Sequence, residues 1–320
     1  MIQVEVALNA IIFSMFFALI STELMAASAI TLKYEESEKK VFKFLVPIWE
    51  ITGTFFVFYA VNIEALVPSA IPLIAYTFIS YILIFLILYV GRNAAIISAE
   101  FIWKNRFVKK QTLYRIYAFI TYLLGILILI VYTALLSGVG INYSARTFDI
   151  SRFLLFLPDD GFIIGSAILI FGLAAVFYGL RVNRYLPLLV TILGLIISGY
   201  SFTKLGDLSS PLLLVVPVIL TLSLPAMWLF NKTRKISENK IVFQGLMAVS
   251  AFFLIYSIYP WLLGRTLNIT SILNYSVMQT QIFYTTIIGG TILLVLSIMF
   301  FRIFSKNSVS LSEDGERGSS

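Results

Sequence analysis

The sequence predicts an all-α membrane protein with nine transmembrane helices, and three observations support this fold class. Of its 320 residues 60% are hydrophobic and its mean hydropathy is +0.97, whereas soluble domains are only ~45–50% apolar. It contains nine apolar segments long enough to cross a hydrocarbon core ~30 Å thick, which takes ~20 helical residues. Its basic residues are concentrated in alternate connections between these segments.

The nine segments follow one another through mostly short connections. The third begins at residue 68 and reaches at least residue 90, with a predicted continuation to residue 103. The full set comprises residues 4–32, 41–66, 68–103, 114–137, 161–180, 185–202, 211–230, 241–263 and 277–304. Residues 1–304 are therefore predicted to form a single transmembrane domain, and the polar residues 305–320 a disordered cytoplasmic tail.

The distribution of Lys and Arg predicts the orientation. The connections after the first, third, fifth and seventh segments, together with the tail, hold 19 of the 23 basic residues, and the opposite side holds 4. Because cytoplasmic loops carry an excess of Lys and Arg, the N-terminus is predicted outside and the C-terminus inside. An odd number of helices requires the same arrangement, so two separate criteria agree.

The composition also excludes several function classes. The chain has no Cys and no His, so it offers neither thiolate nor imidazole to a haem, a metal ion or an iron–sulfur cluster. We therefore expect no metal site and no cofactor held by side-chain ligation. The net charge of +7 fits basic cytoplasmic loops next to membrane lipids, and no nucleic-acid partner is expected.

Two carboxylates inside the first two segments point to a function. Glu23 lies about nine residues before the inner end of the first segment, and Glu50 about nine after the inner start of the second, so both are predicted ~13 Å below the inner surface. A charge near the bilayer centre costs at least ~2.5 kcal/mol, and such residues usually face a packed interior or a water-filled path. Two nearby carboxylates favour a shared proton, which predicts proton handling. The alternative is that each carboxyl is neutral, or paired with a partner chain, and only sets packing.

A second charged pair lies where the third segment leaves the membrane. Arg92 and Glu100 are spaced so that both fall on roughly one helix face. Their predicted role is an ion pair or a contact with lipid phosphate. Glu5 and Glu64 lie near the outer interface, where we expect both to be solvated.

Three glycosylation sequons lie on the predicted outer side. They begin at Asn142, Asn268 and Asn274. A fourth, at Asn231, lies on the predicted inner side and would not be used.

Four short motifs follow the order found in a known family. Ser21-Thr22-Glu23 is similar to a Thr-Asp-Gly-Phe-Asp stretch, with Glu23 at the first Asp and Ala26 at the second. Pro47-Ile48-Trp49-Glu50 is similar to Pro-x-Trp-Asp, with Glu50 at the Asp. The other two motifs are Gly138-Val139-Gly140 followed by Leu157-Pro158-Asp159-Asp160-Gly161, and Tyr259-Pro260 followed by Asn268-Ile269-Thr270 and Ser276-x-x-x-Thr280. In these motifs and in its helix count the chain resembles subunit II of the cytochrome bd quinol oxidases, as a divergent, archaeal-type member.

The resemblance implies an architecture and a role. The expected fold has two four-helix bundles, at about residues 1–137 and 138–263, and a peripheral helix at residues 277–304. Subunit II binds no catalytic haem and packs in the plasma membrane against a larger haem-bearing subunit I, which takes the quinol, with small accessory subunits in some complexes. The residues matching Glu23 and Glu50 belong to a proton path from the cytoplasm, and Trp49 packs beside them. Some members hold a structural quinone or lipid, or an oxygen channel.

Two other function classes remain open. The chain could be an accessory subunit of a haem-copper terminal oxidase that keeps only the fold. It could also be a secondary transporter that couples protons to a solute, although transporters usually show internal repeats, and we find none between the two halves. Co-purification of haem with a second large membrane chain would separate the oxidase classes from the transporter.

Overall fold

A computed structural model describes residues 2–99, 109–206, 208, 210–230, 239–261, 264, 267–272 and 278–317. Side chains are described over the same ranges except at residues 2–4, 39, 42–47, 49–50, 271–279 and 300–317. Within this part the regular secondary structure is helical apart from one two-stranded antiparallel hairpin.

The helices follow the predicted apolar segments. In chain order the elements are α1 (Ile2–Leu32), α2 (Tyr34–Leu66), α3 (Ala70–Thr77), α4 (Ile79–Ile97), α5 (Lys110–Ser137), β1 (Ile141–Asn142), β2 (Thr147–Phe148), α6 (Ile150–Leu154), α7 (Leu157–Phe177), α8 (Leu186–Leu205), a 3-10 helix (Pro211–Leu214), α9 (Val215–Phe230), α10 (Lys240–Tyr256), α11 (Ile269–Ile272) and α12 (Met278–Arg317).

Helix α1 lies at the centre of the molecule and contacts α2, α5, α7 and α10. Near its C-terminal end Ala26, Ala27 and Ala29 are fully buried, and small residues of this kind let neighbouring helices approach closely. Met25 and Ile30 join residues of α5, α7 and α10 in one buried apolar cluster. Side chains on α1 therefore meet other helices on most sides.

The remaining helices extend the packing outward from α1 and its neighbours. Helix α4 packs on α5 beside α1 and α2, whereas α7 packs on α8 and α9, and α9 packs on α10. Helix α12 lies mainly against α2. It extends to Arg317, past residue 304 where the predicted segment ends. The division into two bundles and the disorder of residues 305–320 stay predictions.

The predicted third segment is divided in two at Phe78. This residue ends α3 and precedes α4, and its backbone leaves the helical conformation at φ −107° and ψ 20°. The ring of Phe78 is fully buried against Phe148 of the β1–β2 hairpin, with ring centroids 4.9 Å apart. Phe148 in turn contacts Phe153 of α6, so the hairpin covers the break. The predicted third segment is therefore two helices and not one continuous helix. The break lies where Phe78 packs against a loop that is distant in the chain.

Several helices have the length and composition of transmembrane helices. Among the described residues seven are long and apolar enough to cross a membrane, and two shorter apolar helices occupy Ile51–Leu66 and Lys240–Tyr256. The chain is therefore a helical membrane protein. The number of nine crossings and the orientation stay predictions.

Candidate functional site at the buried Glu23–Arg92 pair

A buried ion pair joins α1 to α4. Nη1 of Arg92 donates a hydrogen bond to Oε2 of Glu23. The Glu23 side chain is 1% exposed and that of Arg92 is 6% exposed. Each charge therefore compensates the other in a place with almost no contact with bulk solvent. Removing one partner of such a buried pair costs ~3–5 kcal/mol because the other charge is left uncompensated.

Neighbouring side chains hold the Arg92 guanidinium in place. Nε of Arg92 donates to Oδ1 of Asn93 over 3.2 Å. The guanidinium carbon lies 5.0 Å from the ring centroid of Tyr89, three residues earlier on α4, which is a cation–π distance. Arg92 thus reaches Glu23 from a fixed position.

The pair lies in the wall of an apolar cleft of about 250 Å³ between α1, α2, α4 and α5. Glu23 and Arg92 are its charged lining residues among those described. The other walls are Phe16, Ile20, Leu24, Thr52, Gly53, Phe56, Val57, Phe85, Leu86, Tyr89, Thr121, Leu124 and Gly125. A cleft with apolar walls and a few polar groups is the common form of a small-molecule site.

The side chains of three predicted site residues of α2 and the third segment lie outside the described part of the structure. Glu50 and Trp49 belong to α2, but their side chains lie outside the described part, and Glu100 lies outside the described residues altogether. Gly53 lines the cleft and follows Glu50 by three residues, a spacing that puts two positions on one helix face. The Arg92–Glu100 pairing stays a prediction, and the described partner of Arg92 is Glu23.

Buried polar groups without direct hydrogen bonds lie near Glu23. Among the described residues, Oε1 of Glu23 and the hydroxyls of Tyr117 and Tyr178 are buried and unpaired. Tyr117 lies within electrostatic range of Glu23 and Arg92, and Tyr178 within range of Tyr117 and Glu23. Leaving a buried polar group unpaired costs ~1–3 kcal/mol, so three together need an explanation.

Two further polar side chains on α10 adjoin this group. Nε2 of Gln244 donates a hydrogen bond to Oγ1 of Thr22, and Oε1 of Gln244 is buried without a partner among the described residues. One turn earlier, Lys240 is 8% exposed, and its Nζ lies 4.0 Å from the ring centroid of Phe177 and 5.4 Å from that of Tyr178. The polar side chains therefore continue from Glu23 to the first turn of α10.

The residues predicted near the outer interface have mixed surroundings. Asn142 is exposed in the hairpin, Asn268 is half-buried and accepts hydrogen bonds from Thr270, and Asn274 lies outside the described residues. Glu64 is exposed as expected. The prediction that Glu5 is solvated is wrong, because its side chain packs within the fold and the residue is 2% exposed.

Sequence reasoning identified Glu23 but missed its surroundings. Arg92 was recognised as a charge in an apolar segment, yet it lies 69 residues from Glu23, and nothing local to the sequence connects them. Tyr117 and Tyr178 carry no distinguishing signal in sequence, because membrane helices commonly hold tyrosines. Their relation to Glu23 depends on the rotation of α5 and α7 about their axes.

Comparison with known proteins agrees with the architecture. No protein-family model matches the chain, and no curated protein sequence matches it. Its structure matches a chain in the structure of bd oxidase from Geobacillus thermodenitrificans with a TM-score of 0.70 and 17% sequence identity, covering 94% of this chain and 98% of that chain. The chain has the fold of a bd oxidase chain. The predicted resemblance to bd oxidases is thereby confirmed at the level of the fold.

Proposed function

We propose that this chain is the non-haem membrane subunit, subunit II, of a cytochrome bd-type terminal quinol oxidase. The observation that carries the proposal is the match to a bd oxidase chain over nearly the full length of both chains. Because so little of either chain is left unaligned, the match favours the interpretation that this chain corresponds to a whole bd oxidase subunit. A similarity limited to a few helices would cover much less of both chains.

The absence of His favours subunit II over a haem-bearing subunit. Haem iron is commonly held by His or Cys, and this sequence contains neither. We therefore place the haems and the quinol site in a larger partner subunit, with small accessory subunits beside it, in the plasma membrane. This chain would support that partner.

Glu23 and Glu50 would provide part of a proton path for oxygen reduction. Glu23 and Arg92 line the cleft, and so does the face of α2 that carries Gly53, one turn after Glu50. Two carboxylates and one guanidinium are neutral together when they share one proton. Such a group becomes neutral when it takes up a proton from the cytoplasm, and it carries one negative charge after release toward the partner until the next proton arrives.

The cleft itself would hold a structural quinone or a lipid chain. Its walls are apolar over most of their surface, and the Glu23–Arg92 pair offers polar atoms at one place. The Gly53→Leu change would occupy part of the cleft, because Gly53 lines it and an added Cβ would lie 3.4 Å from Oη of Tyr89, another lining residue. Mass spectrometry should then find less bound quinone or lipid, whereas Gly199→Leu, with no atom within 4 Å of an added Cβ, should leave it unchanged.

Purification of the chain from its native membrane with a mild detergent tests the assignment. We expect a larger membrane chain and haems of the b and d types to co-purify, detected by mass spectrometry and by the reduced-minus-oxidised absorption spectrum. Co-purification of haem together with copper would instead assign the chain to a haem-copper oxidase. A single pigment-free chain would overturn the oxidase assignment and favour a transporter.

A further inference from the structure

The unpaired polar atoms beside Glu23 have complementary hydrogen-bonding roles. Each tyrosine hydroxyl can donate one hydrogen bond, and Oε1 of Glu23 can accept. All three are buried, and none makes a hydrogen bond of ordinary geometry with the described residues, although the Thr121 side chain lies near the Tyr117 hydroxyl. Tyr117 of α5 and Tyr178, which directly follows α7, belong to the same buried cluster as Met25 and Ala26 of α1.

We propose that Glu23, Tyr117 and Tyr178 enclose an internal water-binding site. Buried water molecules typically satisfy two to four polar groups that protein atoms leave unpaired, roughly the number of partners offered here. The site is separate from the cleft, because neither Tyr117 nor Tyr178 lines it. Glu23 alone belongs to both, with Oε2 bound to Arg92 and Oε1 turned to the water.

Further polar side chains extend from this water-binding site toward α10. Oε1 of Gln244 is another buried acceptor without a partner among the described residues. One turn before it, at the first residue of α10, Nζ of Lys240 lies against the rings of Phe177 and Tyr178. The first turn of α10 is on the side that the basic residues predict to be cytoplasmic. The bound water therefore connects Glu23 with the cytoplasmic end of the helices.

The role of this site rests on the proposed function. A water molecule gives a proton to Oε1 of the Glu23 carboxylate and takes a proton from the next water molecule. The net change is one proton gained by Glu23 and one lost from solvent near Lys240. Tyr117 and Tyr178 are positioning residues, since their hydroxyls hold the water and keep their own protons.

Radiolytic footprinting of the purified complex in ¹⁸O-labelled water tests the site directly. Hydroxyl radicals formed from bound water modify side chains next to it, even where bulk solvent does not reach. We expect ¹⁸O at Tyr117 and Tyr178 but not at Phe55, an equally buried aromatic residue in an apolar cluster. If Tyr117 and Tyr178 stay as unlabelled as Phe55, the water site is wrong.

Single Tyr→Phe changes test its role. Tyr117→Phe and Tyr178→Phe keep the ring and remove one water partner, so oxygen reduction should slow about fivefold with haem content unchanged. Tyr122→Phe is the matched control on α5, because its hydroxyl bonds directly to Ser28 over 3.1 Å, and its rate should equal that of the parent. Parental rates for both variants, while Glu23→Gln is slow, would overturn the role of the water but leave the proposed function standing. A complex without haem would overturn the proposed function, and the labelling would still test the site.

Discussion

Arg92 of α4 and Glu23 of α1 form a buried ion pair between two helices that are separated by α2 and α3 in the chain. Neither side chain is more than 6% exposed. The pair therefore fixes the position of α4 relative to the central helix, and it does so within the part of the fold where we place proton handling.

Breaking this pair should destabilise the protein. Arg92→Met leaves the Glu23 carboxylate buried without its cation, and we expect a loss of ~3–5 kcal/mol in the free energy of unfolding. The double change Arg92→Met with Glu23→Leu should recover most of that loss, because no charge remains buried. Thermal unfolding of the purified protein measures both. Arg152→Ala is the control, since its pair with Asp149 is exposed and worth at most ~1 kcal/mol. Equal losses for Arg92→Met and Arg152→Ala would contradict the prediction.

Glu50→Gln should slow oxygen reduction and leave assembly and haem content intact. Gln keeps the size of the side chain but cannot release a proton, and loss of a proton-transfer group costs on the order of 10²-fold in rate. Glu50→Asp should be milder, and Glu23→Gln should act in the same direction. The double change should be less than additive because both residues belong to one path.

Glu64→Gln is the matched control for Glu50, since Glu64 is an exposed carboxylate on the same helix. Its rate should equal that of the parent. If Glu50→Gln also turns over at the parental rate across the working pH range, Glu50 is structural and the proton path runs elsewhere.

The orientation can be measured with single cysteines because the natural chain has none. Ser144→Cys lies in the exposed β1–β2 turn, and Glu35→Cys lies at the exposed start of α2. A membrane-impermeant maleimide added to intact cells should label Ser144→Cys, and it should label Glu35→Cys only after the membrane is opened. The reverse pattern would place the N-terminus inside and contradict the distribution of basic residues.

Stability should fall in acid through Glu36, at the connection of α1 and α2. Both oxygens of Glu36 accept the backbone N–H of Arg181 at 3.0 Å, and Oε1 also accepts from Lys40 at 3.2 Å. Burial raises the pKa of Glu36, but these hydrogen bonds and the charges of Lys40 and Lys33 together lower it by more than burial raises it. The pKa of Glu36 is therefore below its ordinary 4.5. Because the folded pKa is below the unfolded one, the stabilisation is present above pH 4.5 and is lost as pH falls through the folded pKa.

Thermal unfolding across that pH range tests the contribution of Glu36. Glu36→Gln should make the melting temperature less dependent on pH below 4.5 than in the parent. Glu35→Gln, a change at the exposed neighbouring carboxylate, should keep the parental dependence. Identical curves for Glu36→Gln and the parent would show that the link to Arg181 adds nothing to stability.

Helices α7 and α8 should separate if a side chain is added at Gly165. A Cβ there would lie 2.4 Å from the backbone nitrogen of Ser198, so Gly165→Ala forces the helices apart and should cost ~1–3 kcal/mol. Gly199→Ala is the control on α8, because no atom lies within 4 Å of its added Cβ. It should be neutral or stabilising by up to ~1 kcal/mol, since Ala favours helix. Thermal unfolding compares the two, and a similar loss for both would contradict close packing at Gly165.

The sequence by itself determined that this is a helical membrane protein and where most of its helices lie. A long apolar run can cross a bilayer only by pairing its backbone groups within the run, so the position of each helix is a local property. The same local property marked Glu23 and Glu50, because a carboxylate inside such a run is costly wherever the run packs.

Only the tertiary structure decided which residues meet. Membrane helices are apolar on all sides, so hydropathy does not indicate which face turns inward or which helix lies beside it. For that reason Arg92 could not be assigned to Glu23, the hydroxyls of Tyr117 and Tyr178 could not be placed beside the same carboxylate, and the break at Phe78 could not be foreseen. Each depends on the rotation and the neighbours of helices far apart in the chain, which are set by side-chain packing across the whole bundle.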